Sequence, residues 1–304
     1  MTDTSTDTTT DTDAYTGASG DRGREGTALV LGGGGLAGIG WETGILHGLA
    51  EAGVDLFDAD LVVGTSAGSL VGAQLSGGLL SPRALWERQL GDPSGEPVGR
   101  LAPAGMVRFA GALLRSTDVR AYRRRVAAFA LATDTRESEA DRKAVIADRL
   151  VSPVWPGRRL LITAVDTATG ALKVFDRDSG VDLVDAVAAS CAVPGVWPPI
   201  TIGAERYVDG GIRSSANADL ARGRRRVVVI APMALGTGLV PHPAAQVARL
   251  REEGARVALI TPNAASKACF GRNPLDPARR EPAARAGLAQ AAEHAAEVKE
   301  VWGS

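Results

Sequence analysis

Residues 62–68, Val-Val-Gly-Thr-Ser-Ala-Gly, leave this chain little freedom in what it can become. A short apolar run of strand type, 61–63, leads into Gly64-Thr65-Ser66-Ala67-Gly68, and a helix-forming run over 69–75 follows at once. The order strand, sharp turn, helix lifts the serine hydroxyl clear of the backbone. Side chains two residues either side of the serine would collide with that turn, which accounts for Gly64 and Gly68. The helix then points its positive N-terminal end at the hydroxyl and favours negative charge there. Ser66 is therefore a candidate nucleophile. The plainer alternative is a glycine-rich turn with a capping serine.

Residues 27–31, Thr-Ala-Leu-Val-Leu, read as a first strand. Gly32, Gly33, Gly34 and Gly35 follow, then Leu36, Ala37 and Gly38. A helix is expected over 39–52, with Trp41, Ile45 and Leu49 at helical spacing and Gly53 as its stop. Strand, glycine loop, helix, strand, elbow, helix is the opening of an α/β fold with a mainly parallel sheet. The loop itself admits two readings. Gly33-x-Gly35-x-x-Gly38 matches a dinucleotide fingerprint, with Asp58 or Asp60 as the ribose ligand. Alternatively, consecutive glycines let backbone N–H groups converge on one point and form an oxyanion hole. A right-handed crossover brings the C-terminal ends of consecutive parallel strands to one sheet edge, beside Ser66. A nest of N–H donors next to a serine suits acyl transfer and does not suit hydride transfer.

Further along, helices are expected over 82–89 and 138–150, with a Gly/Pro-rich loop over 91–99. Residues 119–130 carry Arg120, Arg123, Arg124 and Arg125 among Tyr122, Val126 and Phe129. This stretch can be read as a basic cover for an anionic lipid surface; a solvated face of a structural helix is the simpler reading. Residues 159–165 form a strand with 171–175 as its hairpin partner. A helix over 182–191 follows, with Asp182 and Asp185 in its first turn. Tyr207-Val208-Asp209-Gly210-Gly211 reads as a tight turn. Strands are expected over 226–231 and 255–261, then a last helix from Asp276-Pro277 to about 302, its buried stripe formed by Leu288, Ala292, Ala295, Val298 and Trp302.

Composition narrows the function classes. The formal net charge of -1 over 304 residues gives no support for nucleic-acid binding. Two distant cysteines, Cys191 and Cys269, form neither a disulfide framework nor a metal spacing, which fits a reducing compartment. No acidic loop of calcium-binding spacing occurs, and no metal or other cofactor is expected. No apolar run approaches the roughly 20 residues needed to span a bilayer. Residues 1–26 are acidic and Thr-rich, without the basic and apolar regions of a secretory signal. They are expected to be a disordered tail ahead of one domain over 27–304, in a cytoplasmic protein.

Three of these features, in this order, resemble the patatin-like phospholipase family: the loop Gly33-Gly34-Gly35-Leu36-Ala37-Gly38, the elbow Gly64-Thr65-Ser66-Ala67-Gly68, and Asp209-Gly210-Gly211. Asp185 and the segment Ala189-Ser190-Cys191-Ala192-Val193-Pro194 agree more loosely. The resemblance covers about residues 27–221. It implies a three-layer α/β/α sandwich and acyl-ester hydrolysis by a serine–aspartate dyad without histidine, as in phospholipase A and related lipid acyl hydrolases. Ser66 would be the nucleophile and Asp209 its base. Gly33, Gly34 and Gly35 would supply the oxyanion donors, and Gly38, Gly210 and Gly211 would shape the turns. The family usually carries Arg or Lys just before the last loop glycine. Ala37 stands there in this chain, so the loop brings no cation to a phosphate, which tilts the expected substrate towards a neutral ester.

Two competing readings stay open at this level. Ser66, Asp209 and His242 have the chain order of an α/β-hydrolase triad, although His242 lies between Pro241 and Pro243. His47 and His294 fall on helices, as packing or surface residues. The chain could also be a binding module, for a dinucleotide or a lipid, that keeps a hydrolase shape without the chemistry. The partners expected of the enzyme are a lipid or ester substrate and, at most, peripheral contact with a membrane.

Overall fold

A computed structural model describes residues 26–92, 96–234 and 236–303. The tail expected over 1–26 therefore lies outside the described residues, apart from Gly26. In chain order the elements are β1 (Thr27–Leu31), α1 (Gly35–Glu51), β2 (Leu61–Thr65), α2 (Ala67–Ser76), α3 (Pro82–Glu87), α4 (Pro103–Arg115), α5 (Val119–Leu131) and α6 (Glu139–Arg149). Then come β3 (Arg159–Asp166), β4 (Leu172–Phe175), α7 (Leu183–Ser190), β5 (Ile200–Ile202), β6 (Glu205–Asp209), β7 (Arg226–Ile230), α8 (Pro243–Glu252), β8 (Arg256–Ile260), α9 (Ala264–Phe270) and α10 (Arg280–Trp302).

The strands form one sheet in the order β5-β6-β3-β2-β1-β7-β8, with β4 also paired to β3. Strands β3, β2, β1, β7 and β8 run parallel. The β3–β4, β3–β6 and β5–β6 pairs are antiparallel. Strands covered on both faces are apolar throughout, and Ala28, Leu29, Val30 and Leu31 are all fully buried. Alternation sends Leu29, Leu31, Val62 and Ile230 to a core shared with α1, α2, α7 and α10. Ala28, Val30, Val63 and Val229 face Val247 and Leu250 of α8. A smaller cluster joins Tyr122, Val126 and Ala130 of α5 to Val165, Val208 and Ile212. The result is a three-layer α/β/α sandwich with a mostly parallel sheet.

The expected elements need four corrections. First, α1 begins at Gly35 rather than 39, because the glycine loop turns directly into the helix: Gly34 is the cap, and the Gly38 N–H bonds the Gly34 carbonyl at 2.9 Å. Second, residues 207–209 are the end of β6, and the turn begins only at Gly210. Third, α10 starts at Arg280, after a short 3₁₀ turn at Pro277–Arg279. Its buried residues are Ala283, Ala284, Gly287, Gln290, Ala291, Val298, Val301 and Trp302, so the stripe is rotated from the expected one and Ala292 is exposed. Fourth, α4, β5, α8 and α9 are additional to the sequence reading.

The rotation of α10 has a packing cause. Gly40, Gly44 and Gly48 present a bare stripe of α1 to α10. A Cβ on Gly44 would lie 2.7 Å from the Leu288 nitrogen, and one on Gly48 2.5 Å from the Ala291 Cβ. The helices thus meet backbone to backbone through small residues, and Leu288 is left at the side. Helix α5 likewise resolves as a structural helix: Tyr122, Val126 and Ala127 are buried, while Arg120, Arg124 and Arg125 are exposed. Among the described residues, no helix is long and apolar enough to cross a membrane.

Candidate active site

Ser66 stands between β2 and α2 with φ 51° and ψ -116°. A positive φ at a non-glycine residue costs on the order of 1–3 kcal/mol and persists only where neighbours enforce it. Here the enforcement is visible. The Ser66 carbonyl accepts from the Ser69 N–H at 2.9 Å, the Ser69 hydroxyl at 2.7 Å and the Cys191 thiol at 3.2 Å. The Ser66 N–H donates to the Ser190 hydroxyl at 2.9 Å. The C-terminal end of α7 therefore clamps the elbow, which gives the Ala189–Pro194 stretch its part. Gly64 and Gly68 are where the sequence reading needs them. A Cβ on Gly64 would be 2.6 Å from the Ser69 Cα, and one on Gly68 would enter the Leu31 backbone.

Strand β3 brings the second residue to the serine. Its Thr163 pairs with Thr65, just before Ser66, and its next residue, Ala164, pairs with Asp209. Asp209 is buried, and its N–H bonds the Ala192 carbonyl at 3.1 Å. Its Oδ1 accepts from the Gly211 N–H at 2.7 Å. Burial pushes the carboxyl up to about 6, opposed by the Ser66 hydroxyl, the Gly211 N–H and the positive charge of Arg142. The fold thus brings the Ser66 hydroxyl near enough to act on the Asp209 carboxyl, although 143 positions separate the two in the chain. Gly210 lies tight against Thr163, its place for a Cβ taken by that residue's carbonyl at 2.6 Å.

The glycine loop lies on the other side of Ser66. A Cβ on Gly33 would be 3.4 Å from the Ser66 Cβ. The Gly33 N–H is occupied by the Ser215 carbonyl at 2.7 Å, so this one of the three expected donors points away from an oxyanion. The N–H groups of Gly34 and Gly35, at the start of α1, have no acceptor among the described residues. Gly38 faces Ala67, whose Cβ would be 3.5 Å from its own. The loop is held from outside as well: Ala37 N–H bonds the Pro274 carbonyl at 2.9 Å, and Pro232 packs on Gly34 and Gly38. Beneath it, Glu42 is fully buried and burial holds its carboxyl well above the ordinary range.

Several site residues carry no signal in the sequence. Asn217 is fully buried in the left-handed region, φ 51° and ψ 39°. Its Nδ2 donates to Thr65 Oγ1 at 3.0 Å, Thr163 Oγ1 at 3.3 Å and the Ser214 carbonyl at 2.8 Å, while its Oδ1 accepts from Arg213 at 2.7 Å. Thr65 and Thr163 hydroxyls are themselves 2.9 Å apart. This network locks β2, β3 and the segment after Asp209 together. A pocket opens at Ser66, walled by Gly35, Leu70, Ile146, Trp197 and Leu275, with Arg142 in it.

Residues of the competing readings lie elsewhere. Asp60 accepts from the Thr27 N–H at 2.7 Å and the Thr27 hydroxyl at 3.0 Å, and Asp58 accepts from Trp302 at 3.1 Å. Both precede β2 and stand at the sheet edge opposite the glycine loop, out of reach of a ribose bound there. His242 is exposed at the cap of α8, with Nδ1 3.4 Å from the Ala234 carbonyl. Among the described residues, no histidine lines the Ser66 pocket. His47 packs on Trp86, ring centroids 5.2 Å apart, and His294 meets Gln290 at 3.2 Å.

The sequence profile described as Patatin-like phospholipase matches residues 29–222. The chain belongs to that family. The patatin-like match includes the glycine loop, Ser66 and Asp209 but ends before β7, β8 and α10. A comparison with curated protein sequences found no match. Among solved structures, the chain is similar to VipD from Legionella pneumophila, with 13% identity and a TM-score of 0.44 over 91% of this chain and 67% of that one. It is also similar to the type III effector protein ExoU, with 17% identity and a TM-score of 0.38 over 88% of this chain and 53% of that one.

Proposed function

We propose that this patatin-like protein is a serine acyl hydrolase that cleaves lipid esters through Ser66 and Asp209. The observation that carries the reading is the strained, clamped Ser66 against a buried carboxyl whose pKa is raised to about 6. A base of that strength is still ionised at neutral pH yet accepts a proton more readily than ordinary aspartate, near 3.9. Asp209 takes the Ser66 proton as Oγ attacks the ester carbonyl. The N–H groups of Gly34 and Gly35, with the N-terminal field of α1, receive the oxyanion; one such donor is worth about 3 kcal/mol. As the tetrahedral species collapses, Asp209 gives its proton to the departing alcohol and an acyl-enzyme remains on Ser66. Water then attacks, Asp209 takes its proton, and the returning proton restores the serine hydroxyl as the acid leaves.

The carboxylate needs no third residue to fix a tautomer, and the exposed position of His242 argues against a triad. We read residues 27–304 as one catalytic unit, because β7 pairs with β1 and Leu275 walls the pocket. The protein is proposed to be cytoplasmic and to meet lipid peripherally. Met106, Val107 and Leu114 of α4 are exposed on a helix that also carries Arg108 and Arg115, as such contact requires; failure to float with anionic vesicles would remove that part. The deciding experiment is intact mass after a fluorophosphonate probe on wild type, Ser66→Ala and Asp209→Asn. One adduct on wild type, none on Ser66→Ala and slow labelling of Asp209→Asn is the expected result. A folded wild type without an adduct would sink the reading in favour of a binding module.

A further inference from the structure

Helix α6 opens with a capping box between Ser138 and Asp141, and its next residue turns inward. That residue, Arg142, is 4% exposed. Its Nε and Nη1 are buried without a hydrogen-bond partner among the described residues. The contact it does make is with the Trp197 ring, the guanidinium carbon 4.2 Å from the centroid, while Glu137 and Asp209 act on it through charge without a hydrogen bond. A cation–π contact returns only part of what desolvating a guanidinium costs. Burial lowers its pKa to about 10, so it keeps its charge at neutral pH.

The surroundings make this charge more exceptional. Arg149, on the same helix, pairs with Glu96 at 2.7 Å, and Arg280 shares that carboxylate. An adjoining hollow is lined by Arg88, Arg149 and Arg280. The nearby acidic group, Asp209, accepts from the Gly211 N–H and lends Arg142 its charge at a distance, but no hydrogen bond joins the two. Arg142 therefore lines the Ser66 pocket as a cation with no hydrogen-bonded counterion among the described residues. A buried charge of this kind is destabilising until something pairs with it.

We propose that Arg142 is a substrate-recognition residue that pairs with a negatively charged oxygen group, phosphate or carboxylate, of an ester whose acyl carbonyl sits at Ser66. The assignment rests on the acyl-hydrolase reading for the ester but not for the anion. The cation missing from the glycine loop at Ala37 is supplied to the same pocket by a helix outside all three motifs. Guanidinium suits either anion because its planar fork matches two oxygens at once.

The test is a binding comparison in Ser66→Ala, where no turnover intervenes. Three ligands share an acyl chain: 1-dodecanoylglycerol 3-phosphate, the succinate half-ester of 1-dodecanoylglycerol, and uncharged 1-dodecanoylglycerol. Calorimetry below their aggregation limits should show one or both charged ligands about ten- to a hundredfold tighter than the neutral one, the worth of a charge-assisted hydrogen bond. Which charged ligand wins distinguishes phosphate from carboxylate. Adding Arg142→Met should abolish the preference, Arg142→Lys should restore part of it, and Arg149→Gln should leave most of it. No preference in Ser66→Ala, which needs no Arg142 variant, overturns the proposal; so does a preference that survives Arg142→Met. The outcome is separable from the nucleophile question. A charged-ligand preference without a fluorophosphonate adduct leaves an anion site in a non-hydrolase, and an adduct without the preference leaves a hydrolase of neutral esters.

Discussion

Replacing Asp209 by asparagine should stabilise the fold while removing the activity. The carboxyl pKa rises from 3.8 to about 6 on folding, chiefly by desolvation. The native protein therefore holds a proton that the unfolded chain has released between about pH 4 and pH 6. Stability falls as pH rises through that window and stays lowered above it. Just over two decades of proton affinity, at 1.36 kcal/mol each, amount to about 3 kcal/mol at pH 8. Asparagine is neutral throughout, keeps an oxygen for the Gly211 N–H, and can donate to Ser66. Urea unfolding at pH 8 is expected to show the variant about 2–3 kcal/mol more stable, a midpoint about 1 M or more higher at ordinary slopes. At pH 4 the gap should close. In wild type, kcat/KM on any cleaved ester should climb about tenfold per pH unit below 6 and level off above it, while Asp209→Asn loses decades at every pH. Equal stability at pH 8, or a gap unchanged at pH 4, would refute the claim that burial sets this carboxyl.

Two further substitutions test how the site and its layer are held. Asn217→Ala leaves Thr65, Thr163 and the Ser214 carbonyl without their common donor and forces alanine into the left-handed region. We expect a loss of about 2–4 kcal/mol in chemical denaturation, with Asn217→Gly recovering only the backbone share; an unchanged midpoint would show the network to be dispensable. Gly44→Ala drives a Cβ into the backbone of α10 and should cost about 1–3 kcal/mol or more by helix displacement. A neutral result there would mean that the two helices are not in backbone contact.

Patterns that depend on neighbours in sequence were legible before folding. The strand–turn–helix around Ser66, the glycine loop after β1 and the apolar strands 27–31, 159–165 and 226–231 each follow from local sterics or from burial on both faces. Helix period is legible where side chains are large, as at Trp41, Ile45 and Leu49. It is hidden in α10, because small residues permit close approach without announcing which side approaches. The glycines at 40, 44 and 48 were the available signal, four residues apart on α1.

The sequence by itself determined that a serine would sit on a sharp elbow at the carboxyl edge of a parallel sheet, since only local geometry and strand order are needed for that. Tertiary structure alone decided what surrounds it. Pairing along β3 sets Asp209 beside Ser66, the Ser215 carbonyl removes Gly33 from the free donors, and α6 swings Arg142 into the pocket. Each of these depends on residues far apart in the chain meeting in a desolvated space, where burial raises an aspartate pKa and leaves an arginine unpaired. Such energies exist only once the layers have closed.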